Sequence, residues 1–216
     1  MIVTIEETNA HKYPALLDEM FELRARIFHD RLGWDVTVID GKERDKYDDE
    51  APVYLVYADD DTGKIKGSLR LLPTTGPTLL AEAFADTLPD AAHLSAPTIW
   101  ECTRFCLDDK MLDRGNRDEL QVASGVLIAG LGELGLNAGI ESILGNFDAG
   151  MLRLYRRIGC EVETLGCTHR YGRPVYLGLF PISEEILATV KSRLKIAQRQ
   201  HANRGRFIEN LETVPA

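Results

Sequence analysis

Apolar residues recur along the chain with two periods, and the places where the period changes mark the elements. Residues 2–6 alternate weakly, as a first strand does. Over 14–28, Leu17, Met20 or Phe21, Leu23 or Arg24, and Phe28 fall at helical spacing, and Pro14 suits a first turn. The stretch 35–50 is polar and acidic and contains Gly41. It reads as a long connection, too rich in ionisable groups to be filler. Residues 53–57 and 65–72 read as strands joined by the hairpin signal Asp59-Asp60-Asp61-Thr62-Gly63. A short helix is predicted near 79–84 and a strand over 98–107.

A long helix follows. Asn116 with Glu119 three residues later resembles a capping box, and Leu120, Ala123, Val126 or Leu127, Leu131 and Leu134 then repeat at helical spacing. Gly125, Gly130 and Gly132 each cost about 1 kcal/mol relative to alanine in a helix interior, so close approach to a neighbouring element is expected there. A strand over 140–144 and a helix over 151–158 ended by Gly159 come next. Strands over 160–167 and 174–180 precede a last helix that begins at Ser183-Glu184-Glu185. Its inner face carries Leu187, Val190, Leu194 and Ala197, and its end is basic, as the helix dipole favours. The alternation of elements indicates a single-domain three-layer α-β-α sandwich around a mixed sheet rather than a doubly wound fold.

Composition narrows the class. A hydrophobic fraction of 44% with 27% charged residues over 216 residues excludes disorder, collagen-like repeats and a coiled coil, and fits one domain. No uninterrupted run of about 18 apolar residues occurs, and the first residues lack a signal-peptide layout, so the expectation is a cytoplasmic protein without a membrane segment. The net charge of −9 argues against nucleic acid as a partner. The charge is uneven: 14 basic and 25 acidic residues over 1–120 give −11, whereas 11 and 9 over 121–216 give +2. One half suits a cationic ligand and the other an anionic partner, unless the charge is merely scattered over the surface. The four cysteines contain no C-x-x-C, so reduced thiols and no metal site are expected.

No P-loop, dinucleotide fingerprint, H-E-x-x-H or G-x-S-x-G is present. The informative residues are ionisable. Trp100-Glu101-Cys102-Thr103-Arg104-Phe105 lies in a predicted strand, where a regular pleat puts Glu101 and Arg104 on opposite faces. A bulge between them would bring both to one face. Arg70, flanked by leucines, needs a carboxylate partner, and Glu101, Asp45 and Asp48 are the candidates. Either these groups form a structural ion-pair network, or they line a cleft whose carboxylates hold a cation. Phe28 and Trp34 serve equally well as core residues.

Arg24, Phe28, Trp34, Asp45, Asp48, Arg70, Phe84, Glu101 and Arg104 together resemble the characteristic set of the acyl-homoserine-lactone synthases. The phrases Leu32-Gly33-Trp34-Asp35-Val36, Glu43-Arg44-Asp45-Lys46-Tyr47-Asp48, Arg70-Leu71-Leu72-Pro73-Thr74-Thr75-Gly76-Pro77 and Trp100 to Phe105 are similar to family motifs. The resemblance spans residues 1–182, leaving a C-terminal helix and tail over 183–216. It implies an acyltransferase with the Gcn5-related N-acetyltransferase fold. Such an enzyme joins an acyl chain from acyl carrier protein to the amine of S-adenosyl-L-methionine, closes the lactone and releases methylthioadenosine. S-adenosyl-L-methionine is then a cosubstrate, and no cofactor is implied. The implied catalytic set is Glu101, Arg104, Arg70, Asp45 and Asp48. The implied substrate-binding set is Arg24, Phe28, Trp34, Phe84, Cys102, Thr103, Phe105, Cys106 and Gly145. Asp45, Asp48 and Trp34 would surround the sulfonium. Glu101 would take the amine proton through water, and backbone donors near 102–106 would hold the oxyanion. On this basis Glu101→Gln is expected to lower turnover without unfolding the chain.

Two departures refine the expectation. Relatives of this fold that use acyl-CoA commonly carry R/Q-x-x-G-x-G/A, where only Arg114-Gly115-Asn116 occurs here, which favours a carrier-protein donor. Arg153, Arg156 and Arg157, with Arg170 and Arg173, would offer an acidic carrier a complementary patch, or simply form a solvated helix face. Leu144-Gly145-Asn146-Phe147 lacks the threonine that accompanies 3-oxo products in the family, so an unsubstituted or 3-hydroxy chain is expected. The phrases 100–104 and 146–162 resemble the rhizobial long-chain synthases. The competing readings are a general acyl-CoA-dependent N-acyltransferase and a non-catalytic effector-binding domain on the same scaffold.

Overall fold

The apolar runs assemble into one mixed sheet of seven strands. The computed structural model describes residues 1–108, 110, 112, 117–170 and 172–212, with backbone alone at 117, 201 and 203–212. The elements in chain order are β1 (Ile2–Ile5), α1 (Pro14–Arg24), β2 (Val38–Ile39), β3 (Lys42–Glu43), β4 (Val53–Ala58), β5 (Ile65–Pro73), α2 (Leu79–Glu82), β6 (Ile99–Leu107), α3 (Arg117–Ala138), β7 (Ser142–Phe147), α4 (Ala149–Ile158), β8 (Glu163–Thr168), β9 (Val175–Pro181) and α5 (Glu184–Glu212). The sheet order is β1-β4-β5-β6-β7-β9-β8, and β2 pairs with β3 apart from it. Among the described residues, only β6 and β7 run parallel in this sheet. This is the three-layer mixed-sheet sandwich that the sequence indicated.

One face of the sheet is covered by α1. Met20, Leu23, Ile27 and Phe28 pack there against Tyr54, Val56 and Ile65. The helix does not run smoothly to Phe28: after Arg24 it continues as a seven-residue π-helical segment, Ala25–Arg31. Such widened turns are rare and gather at functional sites. The acidic connection after it is built rather than loose. It holds the β2–β3 hairpin and a single 3₁₀ turn, Lys46–Asp49, whose capping box is formed by Asp45 and Asp48.

The other face is covered by α3 and α5. Leu127 and Leu131 pack on Leu55, Leu69 and Leu71. A Cβ on Gly125 would lie 3.2 Å from Leu194 Cδ1, and one on Gly132 would lie 3.1 Å from Leu187 Cδ1. Equal sevenfold steps in opposite directions mean that α5 runs antiparallel along α3, and the glycines permit the close approach that their placement predicted. Residues 118–138 of α3 are long and apolar enough to cross a membrane by length and composition. Alanine and glycine give the helix this character without an uninterrupted run of bulky side chains, and its faces are taken up by the sheet and α5.

Two predicted strands begin later than expected. The Ile140 N–H bonds the Gly135 carbonyl at 2.8 Å and the Cys160 N–H bonds the Tyr155 carbonyl at 3.0 Å, so both residues finish the preceding helix instead of opening a strand. Gly159, at φ 104°, ends α4 in the left-handed region. The Asn116 cap and the segment Arg114-Gly115-Asn116 lie outside the described residues.

Strand β8 is held against the turn after α2. A Cβ on Gly166 would stand 2.0 Å from the Thr87 carbonyl oxygen. Gly166→Ala must displace backbone, so it is expected to destabilise the fold by about 1–3 kcal/mol. A lower urea midpoint with an unchanged slope would register that loss, whereas an unaltered midpoint would mean that the turn yields freely.

Candidate active site

Between β5 and β6 the register slips by one residue. Arg70 pairs with Thr103 and Ser68 with Cys106, so β6 carries an extra residue opposite Leu69. The slip falls at Arg104, whose φ of 53° lies in the left-handed region. For a residue with a Cβ that conformation costs about 1–2 kcal/mol. Its effect is to turn Arg104 to the face that already carries Arg70, Glu101 and Thr103. The sequence expected such a bulge before Arg104; the structure puts it at Arg104 itself.

The face is occupied by a buried charge network. Arg24 Nε donates to Glu43 Oε2 at 2.5 Å, and its two terminal nitrogens donate to Asp48 at 2.8 and 2.9 Å. Arg70 donates to Asp45 at 2.5 and 3.0 Å, to Asp48 at 2.8 Å and to the Thr103 hydroxyl at 3.0 Å. Arg104 donates to Glu43 at 2.9 Å and Asp45 at 2.7 Å. The Tyr54 hydroxyl adds a bond to Asp48 at 2.8 Å. Three guanidinium groups thus face three carboxylates and the cluster is balanced. Burial alone would lift the Asp48 carboxyl, but Arg24 and Arg70 outweigh it and hold the group below the ordinary carboxylate range. Burial likewise works against the charge on Arg24, and the hydrogen bonds it donates to Asp48 and Glu43, with their negative charge, reverse the effect.

Glu43 stands in one of the motif phrases but is not among the site residues read from the sequence, where Glu101 is the third acid offered to the arginines. The Glu43 side chain is fully buried, which a position in a polar stretch does not reveal.

Glu101 is placed differently from the other carboxylates. Its oxygens accept the backbone N–H groups of Leu79 at 2.8 Å and Leu80 at 2.7 Å, so it anchors the start of α2. Burial pushes its pKa up, and the two N–H donors together with Arg70 and Arg104 only partly oppose that.

Pairing of β6 with β7 stops at Glu101–Leu144, after which the two strands part. A cavity of about 1200 Å³ enters there. Phe28, Trp34, Asp45, Phe84, Thr103 and Arg104 line its polar end, Cys102, Phe105 and Gly145 its middle, and α3 and α5 its apolar end. Trp34 stacks on Phe28 with centroids 5.0 Å apart, and the Arg104 guanidinium lies 5.3 Å from the Phe28 ring. Arg24, Asp48, Arg70 and Glu101 stand behind this wall. The reading of an open acidic cleft is therefore narrowed: of the network carboxylates Asp45 lines the cavity, and it too is paired, with Arg70 and Arg104. Cys106 is corrected to a core position, 3% exposed among Met20, Phe21 and Phe28. Burial pushes the Cys102 thiol up to about 12 and the Cys106 thiol up to about 11, so neither is a thiolate nucleophile at neutral pH.

Arg153, Arg156 and Arg157 are exposed on α4, whose last carbonyls accept from Arg193 of α5. Arg173 approaches Asp148 at 3.5 Å, beside the cavity mouth. Tyr155 was also missed by the sequence reading; it lines the cavity with its ring edge-on to Phe147 and Phe180 at 5.6 and 5.0 Å.

A sequence model of the family described as "Autoinducer synthase" matches residues 8–190. An acyl-homoserine-lactone synthase of Rhizobium etli is 40% identical over 200 residues, covering 92% of this chain and 88% of that one. The corresponding enzyme of Agrobacterium fabrum is 35% identical over 165 residues, covering 76% and 78%. Among solved structures, a CoA-dependent acyl-homoserine lactone synthase, BjaI, with SAM and isopentyl-CoA superposes with a TM-score of 0.77 at 29% identity, covering 90% and 89%. The synthase LasI does so with a TM-score of 0.75 at 26% identity, covering 88% and 93%.

Asp48→Asn leaves Arg24 and Arg70 short of a charge, and a stability loss of about 3–5 kcal/mol is expected. The depressed Asp48 pKa contributes stability that is present above about pH 4, the ordinary aspartate value, and is lost as pH falls below it. Urea midpoints followed from pH 7 into acid should fall steeply for the native chain and less steeply for the variant. Parallel curves would remove Asp48 as the source.

Proposed function

The chain belongs to the autoinducer synthases, the acyl-homoserine-lactone synthases, and from that premise we propose the particulars of its reaction. S-adenosyl-L-methionine is the amine and an acyl carrier protein thioester is the acyl donor. The product is an acyl-homoserine lactone with a long, unsubstituted or 3-hydroxy chain, and methylthioadenosine leaves. The observation that carries this reading is one cavity with two chemistries, an aromatic and carboxylate end joined through the β6–β7 gap to an apolar end.

In this reading the sulfonium rests by the Phe28–Trp34 stack, where cation–π attraction favours a cation, with the partly exposed Asp45 carboxylate, paired to Arg70 and Arg104, beside it. The amine attacks the thioester carbonyl where β6 has left β7, and backbone N–H groups of the freed stretch after Glu101 stabilise the oxyanion. The proton of the amine passes through water to Glu101. Two backbone donors occupy only part of the four lone-pair sites of that carboxylate, and its raised pKa brings it nearer the working pH. Arg104 and Arg70 hold Asp45 and the bulge in place, and Arg104 faces the substrate carboxylate. That carboxylate then displaces methylthioadenosine from its own γ-carbon, a step that needs orientation rather than a protein nucleophile.

Glu101→Gln is expected to lower kcat by about 10²–10⁴-fold, the usual worth of a general base. It also turns an amide NH₂ toward a backbone N–H that has lost its acceptor, for a stability loss of about 1–3 kcal/mol. Because the base must be ionised, activity of the native enzyme should fall as pH drops through a value above the ordinary glutamate pKa of about 4.3, and the variant should lack that limb. Full activity in Glu101→Gln would exclude the base role.

The exposed arginines of α4 are the proposed carrier-protein contact. Methylthioadenosine release from S-adenosyl-L-methionine, with matched carrier and CoA thioesters side by side, tests both donor and reaction. Charge reversal at Arg153 and Arg157 should raise KM for the carrier thioester alone. Equal or better use of the CoA thioester would overturn the carrier assignment; the structurally similar BjaI is a CoA-dependent synthase.

A further inference from the structure

The C-terminal helix plays no part in the chemistry above, yet it walls the cavity. Ile186, Leu187 and Val190 of α5 line it opposite Ile128 and Gly132 of α3. The match to the family ends at residue 190, whereas α5 runs on to Glu212. At about 1200 Å³ the cavity exceeds the range of about 300–1,000 Å³ usual for small-molecule sites. The end beside Trp34 and Asp45 suits a polar cosubstrate. The volume between α3 and α5 is bounded there by aliphatic side chains, so its natural occupant is an alkyl chain that has passed the β6–β7 gap.

The far end of that volume is closed by helix contact. Leu187 lies over the bare backbone of Gly132 so closely that a Cβ there would come within 3.1 Å of it, so the glycine lets Leu187 seat against α3 and bound the space. Val190, 2% exposed, packs with Ala129 and Ile158 and closes the space beyond Leu187. Each methylene admitted to such a site gains about fourfold in binding, so a small displacement of this wall re-ranks acyl chains.

We propose that α5 is the chain-length gauge of the synthase, with Leu187, seated on Gly132, and Val190 as the end wall of the acyl chamber. The proposal rests on the acyl-transfer reading above. Residues of α5 touch no reacting atom, so they set which chain fits and not how fast a fitting chain reacts.

The test is competition among octanoyl, dodecanoyl, tetradecanoyl and hexadecanoyl thioesters of one carrier protein, with the full-length chain and S-adenosyl-L-methionine, and the lactones measured by mass spectrometry. Val190→Phe fills the chamber and should lower the tetradecanoyl-to-octanoyl product ratio by about tenfold or more, since several methylenes lose their place at about fourfold each. Leu187→Ala enlarges it and should raise the hexadecanoyl-to-dodecanoyl ratio about fourfold or more. A merely structural role would lower all products together and leave both ratios at the native value, and that result, or a shift of both variants in one direction, overturns the gauge. Should Val190→Phe fail to fold, the Leu187→Ala ratio decides alone. If the native chain releases no methylthioadenosine with any thioester, the reaction itself falls and the gauge with it; lactones formed at unaltered ratios leave the reaction standing and remove only the gauge.

Discussion

The buried exchange of charge among Arg24, Arg70, Arg104 and Glu43, Asp45, Asp48 is the constraint on which the rest of the site depends. It joins α1, the β2–β3 hairpin, the 3₁₀ turn, β5 and β6 at one point. Ionised groups so deeply buried are tolerable only when every one is paired, so the network permits little variation in how those five elements meet. Apart from Tyr47, buried against Leu72 and Leu79, and Val36, packed on the α1 cluster, the acidic connection is mostly polar. The network is what fixes its position, and with it the placement of Asp45 at the cavity.

That fixation lets β6 adopt two unfavourable features. Arg104 takes a left-handed conformation, and the strand leaves β7 after Glu101. Glu43 and Asp45 hold the Arg104 side chain in the first case, and Glu101 secures the start of α2 beside the gap in the second. The cavity exists because the sheet opens there. Local strain at the bulge and the opening for substrate are therefore two results of one arrangement, as is common where backbone strain and function coincide.

Much of the fold was legible. Pro14, the turn at 59–63, Gly159 and the spaced glycines of α3 each act through local conformational preference or through the lack of a side chain, so single residues sufficed to place elements. The strands expected over 140–144 and 160–167 start later in the structure, because helix-closing hydrogen bonds to Gly135 and Tyr155 are not visible in a hydrophobic pattern. The π-helical segment 25–31 was equally invisible, since its side chains keep an ordinary amphipathic spacing.

For the site, the sequence by itself determined the residue types and the family: inward arginines, nearby acids and aromatic residues in motifs that resemble one class of synthase. Those are properties of single positions and their neighbours along the chain. Only the tertiary structure decided which acid meets which arginine, that Glu43 completes the set, that Glu101 grips α2 while Asp45 alone of the network acids reaches the cavity, and that Cys106 belongs to the core. Pairing between residues 19 to 61 positions apart depends on register, one bulge and the distribution of burial, and a change of one residue in register moves a side chain to the opposite face.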